Sequence, residues 1–132
     1  MKVGNIKFKA KRLDNGEWVK GDLAHSLDGG LNILGFTREN GVDYYSGVHL
    51  INPTTVCMFT GEKDMNWKEI YTGDIISNLE TGSVFEVVWN DRLKRLDCKI
   101  LNGVNGAGVP LGIFVSRYKR IVVLMSKFDK EK

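Results

Sequence analysis

The sequence is poor in the residues that staple, break or span. Its 132 residues hold two cysteines, two prolines and two histidines. Cys57 and Cys98 stand 41 positions apart, and neither has a partner at Cys-x-x-Cys spacing. That excludes a disulfide-dense secreted domain and predicts two reduced thiols packed as small hydrophobes. The longest uninterrupted apolar run is Ile121-Val122-Val123-Leu124-Met125, far short of the roughly 20 residues a membrane span needs. No apolar stretch of signal-peptide length follows Met1, so export is not expected. Apolar residues nonetheless make up 42% of the chain and charged ones 27%. A chain of that balance buries a core, so a disordered protein is excluded as well.

Charge of one sign is scarce in total and uneven along the chain. The formal net charge is +3. Residues 1–20 hold six basic and two acidic groups, residues 117–132 hold the same numbers, and the stretch between them therefore carries −5. Two basic ends would attract nucleic acid or an acidic partner if they met in one patch. The candidate contacts are Lys7, Lys9, Lys11, Arg117, Lys119 and Arg120. The plainer reading takes Lys7, Lys9 and Lys11 as the solvent face of an edge strand, where lysine discourages pairing with other chains.

What is present is alternation. Ile6, Phe8 and Ala10 alternate with Lys7, Lys9 and Lys11, the pattern of a half-buried strand. Residues 31–36, 54–59, 83–89 and 118–125 are short, apolar and rich in strand formers. Asn15-Gly16, Asp28-Gly29, Asn40-Gly41 and Asn102-Gly103 punctuate them as turns. No long window carries a 3.6-residue period, so any helix is short. The fold class expected is mainly β, a small barrel-like, SH3-like sheet system with short helical turns at most.

Within this pattern one motif echoes. Glu17-Trp18-Val19-Lys20-Gly21-Asp22-Leu23 returns 52 positions later as Glu69-Ile70-Tyr71-Thr72-Gly73-Asp74-Ile75. In each copy two apolar residues plug a core, Gly permits a bend, and Asp caps backbone N–H groups beyond it. Gly21, Asp22, Gly73 and Asp74 are therefore expected at two structural corners of a single 132-residue domain. Subdomains 1–60 and 61–132 would be built around those corners. Trp18 and Tyr71 are read as core plugs, and Trp67, in a polar loop, as a candidate contact residue.

The run from Thr54-Thr55-Val56 through Phe59-Thr60-Gly61 and Asp64 to Ile70-Tyr71-Thr72-Gly73-Asp74-Ile75 resembles the YopX family, encoded largely by bacteriophages and prophages. Phe8-Lys9-Ala10 and Trp18-Val19-Lys20-Gly21-Asp22-Leu23 are similar to its N-terminal part, and the resemblance covers about residues 6 to 76. It implies a mostly β fold with a barrel-like portion, members that self-associate, and the cytoplasm of a bacterial host. Cys57 and Met58 stand where Gly-Gln is usual, and Trp67 where Gly is usual. A tryptophan is ill suited to a positive φ, so that loop is expected to differ.

Catalytic constellations are wanting. His25 and His49 have no His-x-Glu or His-x-x-x-His relation. Tyr45-Ser46-Gly47 lacks the flanks of a nucleophile elbow. The glycine-rich segment 102–110 has no following Lys-Ser/Thr, and residues 111–115 read as a strand rather than a helix start. Asp22 and Asp74 read as turn caps, with no burial to tune them, and Asp64 and Glu69 as solvated. The chain is thus expected to be no enzyme and to use no metal or cofactor. Its expected partner is another protein or a second copy of itself in a homo-oligomer, away from membranes. The alternative is nucleic acid held by the basic termini and an exposed aromatic.

Overall fold

A computed structural model describes residues 2–102 and 109–129, with backbone alone at 38, 39, 43 and 45. Strand accounts for 55% and helix for 11%, so the mainly β expectation holds. The strands form two antiparallel sheets, and neither closes into a barrel. By contacts the chain divides into two compact units, Met1–Phe59 and Thr60–Lys132.

In the first unit, β1 (Phe8–Lys11), β2 (Trp18–His25), β3 (Leu31–Glu39), β4 (Val42–Leu50) and the start of β5 (Cys57–Lys63) lie in the order β4-β3-β2-β1-β5. β4 ends the sheet, and the residues just past β4 and β1 meet at an isolated bridge between Ile51 and Arg12. Alternation sends Ala10, Val19, Ile33 and Ile51 to one face as a buried core, with Phe8, Leu23, Leu31 and Val56 packed against it. The β3–β4 turn has Asn40 at φ 52° and Gly41 at φ 76°, the left-handed pair that a two-residue hairpin requires. β4 itself was not foreseen. A bulge beside Gly35 breaks its alternation, which hides it from a period-2 reading.

Two expectations fail in this unit. β1 is not an edge strand, for Lys9 pairs with Lys20 on one side and with Cys57 on the other. Nor do residues 54–59 form one strand. Pro53 opens a 3₁₀ turn, Pro53–Thr55, capped by the Asn52 side chain accepting from Thr54 N–H, and β5 begins only at Cys57. Thr55, buried, accepts the Lys11 N–H at 2.9 Å.

In the second unit β5 continues beside β6 (Glu69–Tyr71), and the Thr60 hydroxyl donates to the Ile70 carbonyl at 2.7 Å. The remaining strands are β7 (Asp74–Asn78), β8 (Ser83–Asn90), β9 (Arg95–Ile100), β10 (Val109–Pro110) and β11 (Ile121–Ser126), ordered β10-β9-β8-β7-β11. Residues 111–117 form a helix, α1 (Leu111–Arg117), which corrects the strand expected at 111–115. Leu111 and Phe114 sit three apart and are both buried, a helical spacing too brief to register in sequence. They join Ile70, Ile76, Phe85, Val87, Cys98 and Ile121 in one core. Phe114 lies edge-on to Phe85, with ring centroids 4.7 Å apart. Most of the glycine-rich segment, residues 103–108, lies outside the described residues.

Candidate interaction site

The loop between β5 and β6 is organised by one carboxylate. Asp64 Oδ1 accepts the N–H groups of Asn66 at 2.8 Å and Lys68 at 2.9 Å, and Oδ2 accepts Val123 N–H at 2.9 Å. Backbone bonds reinforce it: Asp64 N–H to Lys68 O, Trp67 N–H to Asp64 O, and Met65 N–H to Ile121 O. Asp64 is 8% exposed, so the solvated aspartate expected from sequence is instead a buried acceptor of three N–H groups.

That clamp places Trp67 at φ 63° with 79% of its surface exposed. The expectation that tryptophan could not serve a positive-φ turn is therefore overturned. A non-glycine residue there costs roughly 1–3 kcal/mol and persists only when its surroundings over-determine it. Asp64 supplies those surroundings. The Lys63 ammonium lies 5.6 Å from the indole ring, and Met65 is also exposed. Gly61, Glu62, Lys63, Asp64, Met65 and Trp67 line an open groove of about 470 Å³. It offers an aromatic face, a thioether, and a lysine and a glutamate beside the buried Asp64, which suits side-chain docking.

The other expected residues are placed differently. Gly21 and Asp22 are no corner; they lie inside the continuous strand β2. Gly21 is needed there because a Cβ would stand 1.8 Å from the Leu34 carbonyl oxygen, and Asp22 is exposed. Gly73 does make a turn, at φ 87°, donating to Val87 O and accepting from Lys127 N–H. Asp74 is 1% exposed and accepts Tyr71 N–H at 2.8 Å, so its burial corrects the expectation of a solvent-side cap. Tyr71 is buried as expected, whereas Trp18 is only half-buried. The echo in sequence is thus not an echo in structure.

No protein-family model matches the chain, and no curated protein matches it.

The basic candidates separate by environment. Lys7 lies over the Phe59 ring at 4.7 Å, and Lys9 and Lys11 over Trp18 at 4.6 and 5.6 Å. Lys11 is 7% exposed, so this stripe is packed against aromatics rather than displayed as a solvent face. Arg117, Lys119 and Arg120 are exposed on and just after α1. Cys57 and Cys98 are both buried and form no disulfide. The Ser46 hydroxyl lies 3.3 Å from His49 Nε2, and His25 is exposed at the end of β2. Among the described residues no three His, Cys, Asp or Glu side chains are placed to hold a metal ion, and no helix is long and apolar enough to cross a membrane.

Sequence reasoning selected Trp67 but missed the clamp beneath it. The signal available was Asp64 followed at two and four residues by its N–H donors, the spacing of an aspartate closing a loop on itself.

Proposed function

We propose that this chain is a non-enzymatic accessory protein that docks another protein, or a second copy of itself, through the Trp67 loop. The observation that carries the reading is a tryptophan 79% exposed and held at φ 63° on a loop pinned by the buried Asp64 carboxylate. An aromatic side chain fixed this way gives large contact area at little entropic cost. The resemblance to the YopX family adds a phage or prophage origin and a bacterial cytoplasmic setting to this proposal. The nucleic-acid reading has less support, because Lys7, Lys9 and Lys11 lie against rings.

The test is a photo-crosslinking amino acid in place of the exposed Met65, with Trp67 intact, in lysogenic or infected cells, beside light scattering of the purified protein. Discrete crosslinked products that Trp67→Ala diminishes support the reading, and a product of twice the chain mass identifies the partner as itself. A strict monomer that crosslinks to nothing overturns it. So does a Trp67→Ala protein that keeps every interaction.

A further inference from the structure

Four Asn-Gly dipeptides stand in the sequence, at Asn15-Gly16, Asn40-Gly41, Asn102-Gly103 and Asn105-Gly106. Chemically they are alike. Each offers an amide carbonyl to the nitrogen of an unhindered following residue, the reaction that turns asparagine into a cyclic succinimide. The fold makes three of those side chains unlike one another, and the fourth dipeptide lies outside the described residues.

Asn15 is locked twice. Its Oδ1 accepts Glu17 N–H at 2.9 Å, while Gly16 N–H, the nucleophile, is engaged with Arg12 O at 3.0 Å. Asn102 is locked through its amide, Oδ1 accepting Val84 N–H at 2.9 Å and Nδ2 donating to Gly82 O at 3.0 Å. Asn40 is different. It is exposed at the tip of the β3–β4 hairpin, and among the described residues no hydrogen bond holds its side chain. The flanking pair Glu39 and Val42 closes the turn, so Gly41 N–H has no ladder position to fill.

We propose that Asn40 is a site of spontaneous modification, the one of these three asparagines that the folded protein converts to aspartyl and isoaspartyl forms. The Gly41 nitrogen, losing its proton, attacks Asn40 Cγ. The Cγ–Nδ2 bond breaks and ammonia leaves with that proton. Water then opens the succinimide at either carbonyl, giving aspartate at one and isoaspartate at the other. No oxidant or cofactor enters. Aspartate keeps the left-handed turn, whereas isoaspartate adds a main-chain atom and breaks the Glu39–Val42 register. Either product puts a new negative charge at the hairpin tip.

The test incubates the purified protein at mildly alkaline pH, folded and in denaturant, and reads each site by peptide mass spectrometry. In the folded protein Asn40 should react on the order of tenfold or more faster than Asn15 and Asn102, since two hydrogen bonds must open at each locked site. In denaturant the three rates should converge. Asn40→Asp should abolish ammonia release from its own peptide and leave the other two sites unchanged. Equal rates in the folded protein overturn the proposal. So does a folded protein in which Asn40 stays intact while the denatured chain reacts.

Discussion

Trp67 shows what a single backbone angle implies. Its φ of 63° is strained for a side chain with a Cβ, and glycine relieves that strain while loosening the unfolded chain. Trp67→Gly should therefore stabilise the protein by roughly 0.5–1 kcal/mol while removing the contact surface. Urea denaturation checks the gain, and a fall in the midpoint would show that the indole packs usefully in the monomer. Asp28 makes a second residue-scale case. The Ser26 hydroxyl donating at 2.6 Å, and then Gly30 N–H at 3.0 Å, hold its carboxyl below the ordinary value of 3.8. A carboxyl with a depressed folded value stabilises above pH 3.8 and loses that contribution as the pH falls through the lower folded value. Asp28→Ala should thus melt below wild type at pH 7 and approach it at about pH 2.

At the scale of elements, Gly21 sets how close β2 and β3 come. A Cβ at 1.8 Å from Leu34 O leaves no rotamer to escape into, so Gly21→Ala must part the strands. The expected loss is about 3 kcal/mol or more, read as a lowered denaturant midpoint, and an unchanged midpoint would contradict the strand pairing. The same elements show which parts of the fold are visible in sequence. β1 announces itself because apolar and basic residues alternate along it, and β3, β8 and β11 because they are short, apolar and rich in strand formers. β4 does not, since its bulge interrupts the alternation. α1 does not, since two buried residues are too few to define a period. The Gly-Asp motif was legible as two glycines needed for backbone reasons, yet one admits a neighbouring strand and the other a turn. That difference depends on what comes near each glycine, which local sequence does not encode. The polar neighbours of Trp67 leave open in sequence whether it is exposed or covers the core, and the clamp that decides it reaches 59 residues ahead to Val123. Non-local bonds of that kind leave no local trace.

At the scale of the whole molecule, the residues that carry the YopX resemblance serve packing and turns. Thr55 and Asp64 accept backbone N–H groups, Ile70 and Tyr71 are buried, and Gly73 turns the chain. Such residues hold this fold together, and on the proposed reading they leave the choice of partner to the loop. The cysteines report on the integrity of both units. Cys57 is 1% exposed and Cys98 fully covered. Burial, with the Asp97 charge beside it, pushes the Cys98 thiol up from 9.0 to about 12. At pH 8 a thiol reagent should label neither cysteine in the folded protein and both in denaturant. Fast labelling of one under native conditions would show that its unit opens independently.

The Asp64 clamp has one more effect. β11 ends its sheet, and an end strand offers its backbone groups to any neighbouring chain. Met65 N–H on Ile121 O and Asp64 on Val123 N–H occupy that rim. The bonds that present Trp67 are also a guard against uncontrolled aggregation. Asp64→Ala should cost about 3 kcal/mol through three orphaned N–H groups and, in the same stroke, make the protein assemble through β11. Its size distribution should then grow with concentration where Trp67→Ala does not. The surface we propose for docking and the rim beside it are held here by one side chain.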